Sequence, residues 1–285
     1  MRNFLLILLI IFLLPMASGA VEDTPLAVKK QYEPGNMKEV ARAFLKAYKT
    51  DEIKKPAMLY QAFIYYSLAR DYDEALLVFN TLVEAHPAEI KLEWKQSLVN
   101  VLHSLEKYHQ ALPWIEDLAQ KSKKESKKQW QEILVNQYLT LGMQGKALEY
   151  VLFLTRSNSG EAKWWKALTH IHLGKNQMEE ALNAFLIYSF VSPLSQQEIS
   201  FMADLYLSCG IPLKAAKYYE IYLKEEKNPK KIQDKIIRIS HAYFSGGQGA
   251  SALEWIEKGL ALAPDPELLQ LKDMVQNINV KMGYE

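Results

Sequence analysis

Apolar residues along this chain recur at intervals of three and four positions, and a small residue repeatedly follows a short polar turn. Apolar positions i, i+3, i+4 and i+7 share one face of an α-helix, so the pattern predicts amphipathic helices throughout. Alanines spaced by 36, 36, 34, 34 and 37 residues mark the repeat: Ala75, Ala111, Ala147, Ala181, Ala215 and Ala252. One further step back leads to Ala41. The sequence therefore predicts an all-α chain of repeated helix pairs.

Helix pairs of this length cannot bury their apolar faces alone, so neighbouring pairs are expected to stack into a solenoid. Prolines at 87, 193 and 264 follow the predicted second helices, where they stop a helix. The tail is predicted to form a capping helix, with these side chains facing inward: Leu268, Leu269, Leu271, Val275 and Ile278. An N-terminal start is predicted around Ala41, Phe44, Leu45 and Tyr48.

The repeat resembles the tetratricopeptide repeat (TPR) family, whose unit is a helix pair of about 34 residues. The unit that begins at Pro56 has the family's residue types in these places: Leu59, Ala62, Tyr66, Ala75, Phe79 and Pro87. The resemblance implies a right-handed superhelical α-solenoid of about six TPR units over residues 56–265. Residues 21–55 are expected to form an N-terminal cap and partial repeat, and residues 266–285 a C-terminal capping helix. Phe63 departs from the family's small residue, and Gly174 stands two residues early.

The first twenty residues have the pattern of a secretory signal peptide. Arg2 precedes an unbroken apolar run over residues 4–14, which Pro15 ends, and the small residues 17–20 form a cleavage site. We expect cleavage after Ala20 and a periplasmic or secreted protein without a membrane span. An uncleaved N-terminal anchor is the alternative, although eleven apolar residues are short for a bilayer.

Composition excludes several classes of function. The chain has 34 Lys and Arg against 33 Asp and Glu, which gives a formal charge of +1 and none of the basic excess of a nucleic-acid binder. Cys209 is the only cysteine, so no intramolecular disulfide can form.

No residue pattern predicts catalysis, a metal site or a cofactor. His170 and His172 are two positions apart on a predicted helix, so they point to opposite sides and cannot chelate one metal ion. The glycine-rich residues 246–249 lie between two helices rather than after a strand, which excludes a phosphate loop. Cys209 has no base at a suggestive spacing. An enzyme is therefore not expected; an enzyme subunit with an unrecognised site is the remaining alternative.

A lysine cluster occupies residues 121–128, at a predicted loop between repeats. It is either a solvated loop or a contact for anionic lipid headgroups or an acidic partner.

The TPR resemblance implies that first helices line a concave groove, which binds a protein or peptide segment. The candidate groove residues are Gln96, Asn100, Glu132, Asn136, Lys163, Lys166, His170 and Asp204. Family members that clamp a terminal carboxylate pair Asn with Lys, but Gln96 and Glu132 stand there in this chain. A carboxylate clamp is therefore not expected, and a solvated groove wall without a ligand is the alternative.

Two stretches resemble a narrower subfamily: residues 164–168 (WWKAL) running into 180–184 (EALNA), and residues 205–216 (LYLSCGIPLKAA). The second stretch is similar to exported TPR proteins that are encoded beside the TonB energy-transduction system of Gram-negative bacteria. The resemblance implies a periplasmic accessory scaffold of TonB-dependent siderophore and iron uptake, with TonB-system proteins as partners. The alternative is a periplasmic adaptor for outer-membrane or cell-wall assembly.

Overall fold

The computed structural model describes residues 36–51 and 54–282, with side chains up to residue 277. The predicted signal peptide lies outside these residues. Within them the regular structure is fourteen α-helices and a short 3₁₀ turn, without a strand. The helices are α1 (Met37–Thr50), α2 (Pro56–Leu68), α3 (Tyr72–Ala85), α4 (Leu92–Ser104), α5 (Tyr108–Lys121), α6 (Lys124–Thr140), α7 (Gln144–Ser157), α8 (Ala162–Gly174), α9 (Met178–Val191), α10 (Gln196–Ser208), α11 (Pro212–Leu223), α12 (Pro229–Ser245), α13 (Gly249–Leu262) and α14 (Pro266–Met282).

The predicted all-α solenoid is confirmed. Even-numbered helices from α2 to α12 are the first helices of the repeats, and the odd-numbered helices that follow them are the second helices. The chain divides into two compact units, which meet in sequence between Leu141 and Gly142. The N-terminal unit contains α1–α6, and the C-terminal unit contains α7–α14.

A residue with left-handed backbone conformation lies between the two helices of every repeat. These residues have φ between 56° and 74°: Arg70, Glu106, Gly142, Asn176, Gly210 and Gly247. Each stands five positions before a repeat alanine. The following residue donates its N–H to the carbonyl five positions back in five of the six turns, for example Lys107 to Leu102 at 2.8 Å. This is the hydrogen bond that closes a Schellman-type helix end.

The turn before α9 settles the register of its repeat. Gly174, which is two residues early for the pattern, is the last residue of α8. Asn176 takes the left-handed position instead, with φ 58°. Asn tolerates this conformation better than other non-glycine residues, so the repeat keeps its register without a glycine at the turn.

The repeat alanines lie in the core of their units, and all six are fully buried. A methyl side chain lets neighbouring helices approach closely, and larger residues fill the space on either side. Phe63, the large residue where the family prefers a small one, is also fully buried. Its ring meets Phe79 edge to face at 4.9 Å and stacks on Tyr60 at 5.9 Å. An aromatic cluster thus accommodates the bulk of Phe63.

The first and last helices cover otherwise exposed helix faces of their own units, α1 in the N-terminal unit and α14 in the C-terminal unit. Ala41 and Phe44 of α1 are buried, and α1 packs on α2. Leu268, Leu271 and Val275 of α14 are buried against α12 and α13. The inward prediction for Leu269 is wrong, because its side chain is 51% exposed. It follows Leu268 by about 100° around the helix, which carries it off the buried face. The side chain of Ile278 lies outside the part described.

The turn geometry predicts that Glu106→Gly stabilises the protein by about 0.5–1 kcal/mol. A non-glycine residue in the left-handed region costs about 1 kcal/mol or more, and the added freedom of glycine in the unfolded chain offsets only part of that gain. Urea denaturation measures the change. Glu106→Ala is the control, since alanine keeps the backbone strain. An equal gain from both variants would attribute the effect to the lost carboxylate and contradict the backbone explanation.

Candidate functional site

All eight candidate groove residues lie on first helices, and they divide equally between the two units. Gln96 and Asn100 are one turn apart on α4, and Glu132 and Asn136 are one turn apart on α6. The other four are in the C-terminal unit, with Lys163, Lys166 and His170 on α8 and Asp204 on α10. Each unit therefore has its own set of four candidate residues.

In the N-terminal unit, a hydrogen bond joins the helices that bear the candidate amides. His103 Nε2 of α4 lies 3.0 Å from Gln137 Oε1 of α6. Gln137 is buried, and its Nε2 donates to the Tyr108 carbonyl at 2.9 Å. Burial lowers the pKa of His103. The hydrogen bond to Gln137 acts in the opposite direction but is the smaller effect. Asn100 and Asn136 are exposed on these two linked helices.

A second contact links α2 to α4. Tyr60 and Ser97 share a hydrogen bond of 3.0 Å between their hydroxyl oxygens, and the Tyr60 ring stacks on Trp94 at 4.6 Å.

A surface pocket of about 400 Å³ opens beside Trp94. Its lining residues are Lys55, Pro56, Ala57, Glu89, Lys91 and Trp94. The pocket combines an indole wall with charged groups of both signs.

In the C-terminal unit, Glu198 at the start of α10 collects donors from three helices or their ends. Lys166 Nζ of α8 lies 2.7 Å from Glu198 Oε1, and the Tyr188 hydroxyl of α9 donates to the same oxygen at 2.9 Å. The N–H and hydroxyl of Ser195 donate to Oε2 at 2.9 and 2.8 Å. Partial burial would raise the pKa of Glu198, but these hydrogen bonds outweigh it and hold the pKa at about 2. The hydrogen bond to Glu198 raises the pKa of Lys166.

His170 and Lys163 extend this surface along α8. His170 lies one turn after Lys166, and its ring stacks on Phe201 of α10 at 6.3 Å. Desolvation by the surrounding protein lowers the pKa of His170, and the charge of Lys166 lowers it further. Lys163 Nζ lies 4.6 Å from the centroid of the Trp164 ring.

Asp204 is bonded to two neighbouring helices. Its Oδ1 accepts hydrogen bonds from the Tyr219 hydroxyl of α11 at 2.5 Å and from Arg238 Nη1 of α12 at 3.2 Å. Burial, followed by the bond to Asp204, raises the pKa of Tyr219. Farther along, His241 Nε2 of α12 lies 2.8 Å from Glu267 Oε1 of α14.

These contacts form a repeated feature, which we call the inter-repeat ladder. It consists of five polar pairs between successive first helices or the cap: Tyr60–Ser97, His103–Gln137, Lys166–Glu198, Asp204–Arg238 and His241–Glu267. Lys166 and Asp204 thus hold neighbouring repeats together as well as lining a surface. The sequence analysis did not predict these pairs, although four of the five join residues that are roughly one repeat apart.

The lysine cluster lies at the end of α5 and the start of α6. Lys121 Nζ is 2.6 Å from Asp117 Oδ1, while Lys123, Lys124 and Lys127 are exposed.

The described ranges contain no group of three or more His, Cys, Asp or Glu side chains arranged to hold a metal ion. Cys209 is half-buried, and burial, followed by the charges of Glu179 and Glu180, raises the pKa of its thiol. Over the same ranges, no helix combines the length and apolar character needed to cross a membrane.

No protein-family model and no curated protein matches the chain. Among solved structures, it resembles the C-terminal part of a TPR repeat-containing protein from Cytophaga hutchinsonii, with TM-score 0.52 and 14% identity over 86% of this chain and 98% of that chain. A chain in the structure of Naa15/Naa10 bound to HypK-THB matches with TM-score 0.60 and 12% identity, over 87% of this chain and 38% of that one. At these identities the similarity establishes the fold, which is that of tetratricopeptide repeat proteins.

The contacts of Glu198 predict a marked loss of stability in acid. Because its folded pKa of about 2 lies below the ordinary pKa of 4.5 for a glutamate, the carboxylate stabilises the fold above pH 4.5, and this contribution is lost as the pH falls towards 2. Glu198→Gln should lower the free energy of unfolding by about 2 kcal/mol at pH 7 and flatten its dependence on pH between 4.5 and 2. Chemical denaturation at several pH values measures both effects.

Glu254→Gln is the matched control, because Glu254 makes an exposed ion pair with Lys258 at 2.7 Å on one helix. Such a pair contributes at most about 0.5 kcal/mol. Equal losses for the two variants would refute a special role for Glu198.

Proposed function

We propose that the chain is an exported, non-catalytic scaffold that binds a protein or peptide segment along its first helices. The observation that carries this proposal is the pair of exposed amides, Asn100 and Asn136, on two first helices that the His103–Gln137 bond holds together. The ladder fixes the spacing of the first helices, so the binding surface is ordered before a partner arrives. Preorganisation of this kind lowers the entropic cost of binding.

Amide side chains suit recognition of an extended segment. Each Asn offers two donors and an acceptor, which match the carbonyl and N–H groups of a peptide backbone. The pocket beside Trp94 adds a place for a side chain of the bound segment. The similarity to a chain in the Naa15/Naa10 complex bound to HypK-THB, itself an assembly of proteins, also supports a role in holding partners together.

We further propose that the scaffold acts in the periplasm as an accessory of TonB-dependent siderophore and iron uptake. The signal-peptide pattern of residues 1–20 supports export. The similarity of residues 205–216 to TPR proteins encoded beside the TonB system supports the choice of partner. Under this proposal the first helices contact periplasmic domains of TonB-system proteins.

Site-specific photo-crosslinking in the native cell tests the proposal. A photoreactive residue replaces Asn100 or Asn136, and mass spectrometry identifies the adducts. The matched control is Asn80, an exposed asparagine on the second helix α3. We expect adducts with TonB-system proteins from the two first-helix positions and not from Asn80, because only the first helices bear the proposed surface.

Equal labelling from all three positions would contradict the first-helix surface. Adducts with outer-membrane or cell-wall assembly proteins would support a scaffold and refute the TonB assignment. The same digests identify the first residue of the mature chain: Val21 supports export with cleavage after Ala20, whereas retention of residues 1–20 contradicts it.

A further inference from the structure

An unusual set of exposed apolar side chains recurs on the second helices of the C-terminal unit. Phe153 of α7, Ile187 of α9 and Ile221 of α11 are 57%, 39% and 43% exposed. Each stands six positions after a buried repeat alanine, so the three occupy the same place in consecutive repeats. Phe190 is one turn beyond Ile187 and is 86% exposed. We call these four residues the apolar row.

The repeat itself does not require apolar residues at this place. The equivalent positions in the other repeats are polar: Thr81, Asp117 and Lys258. A single exposed apolar residue is ordinary in a soluble protein, so the feature that distinguishes these residues is their recurrence at one place in consecutive repeats. This position is therefore apolar in three consecutive repeats and polar in the other three, although core packing does not require an apolar residue there.

Cations flank the row. Arg156 and Lys224 lie one turn after Phe153 and Ile221, and Lys217 lies one turn before Ile221, all on the same exposed helix faces. The carboxylates at such positions are Glu149, one turn before Phe153, and Glu225, one turn after Ile221. Three cations against two carboxylates leave the face with a net positive charge, which complements an anionic surface.

The shape of the row favours a fluid partner over a folded one. With 86% of its surface exposed, the Phe190 side chain protrudes from α9 with little protein around it. A folded partner would need a matching socket for this ring, whereas lipid deforms around it. Aromatic rings with adjacent Lys and Arg side chains are the combination that settles at the boundary of headgroups and acyl chains.

We propose that the apolar row and its cations dock the C-terminal unit on the surface of an anionic lipid bilayer. Phe153 and Phe190 enter the headgroup region, while Arg156, Lys217 and Lys224 contact lipid phosphates. This surface lies on second helices, so it leaves the first helices available for a protein partner. The inference goes beyond the proposed scaffold function and does not depend on it.

A local fluorescent probe tests the docking surface in the full chain. Phe190→Cys and Ile187→Cys, each in a Cys209→Ser background, carry the polarity-sensitive dye NBD. Lys258→Cys, at the equivalent place in the next repeat, is the matched control. We expect a blue shift of NBD emission at positions 187 and 190 with vesicles of 70% phosphatidylcholine and 30% phosphatidylglycerol. Position 258 should not respond, and the shift should weaken in pure phosphatidylcholine and in high salt, because salt screens the flanking cations.

A pair of substitutions measures how much the row contributes. Phe153→Ser with Phe190→Ser should weaken vesicle binding by about a hundredfold, since burial of each of the two rings is worth about tenfold in partition. Leu77→Ser, at a 62% exposed leucine of α3 outside the row, should leave binding unchanged. Every variant has the same N-terminus, so residues 1–20 cannot produce the difference.

Two results would overturn the proposal. One is an equal NBD response at positions 187, 190 and 258, or none at 187 and 190. The other is photo-crosslinking from position 190 in cells that yields protein adducts instead of lipid adducts, which would assign the row to a protein partner. Neither result bears on crosslinks from Asn100 and Asn136, so the two proposals fail separately.

Discussion

The close approach of helices at the buried repeat alanines is the contact on which the rest of the fold depends. A helix pair here has one apolar stripe per helix and cannot bury both stripes alone. The small alanine side chain allows neighbouring helices to approach closely. The left-handed residue five positions earlier forms the turn after which the helix that bears the alanine begins. Because both features recur at the same spacing, including at Asn176 where a glycine is absent, each second helix begins at the same distance from its turn.

The inter-repeat ladder adds polar contacts to this apolar arrangement. A charged side chain between helices is stable only when its hydrogen bonds replace those it made with water. Glu198 meets that requirement with donors from Lys166, Tyr188 and Ser195, and Asp204 does so with Tyr219 and Arg238. The ladder therefore links neighbouring first helices at the surface that we assign to a partner, while the second helices of the C-terminal unit present the apolar row.

The sequence was sufficient for the helices, the repeats and the buried alanines, because these follow from local periodicity. It was insufficient wherever the outcome depends on the rotation of one helix against another. Leu269 is an apolar residue of an amphipathic helix, but it lies off the buried face. The ladder joins residues that are 26 to 37 positions apart, and no local sequence pattern predicts those contacts. Of the candidate groove residues, Lys166 and Asp204 were identifiable from their repeat position, but their partners Glu198 and Arg238 were not.

Hydrogen–deuterium exchange of an Ala215→Leu variant addresses the dependence of each repeat on its neighbours. The added bulk should destabilise the C-terminal unit by about 1–3 kcal/mol. If the alanine contact supports the stack, exchange should rise in α10 and α11 and also in the adjoining helices α9 and α12. Ala261→Leu, at an exposed alanine of α13, should leave exchange unchanged. A rise confined to α11 would contradict the claim that the repeats are stable only through their neighbours.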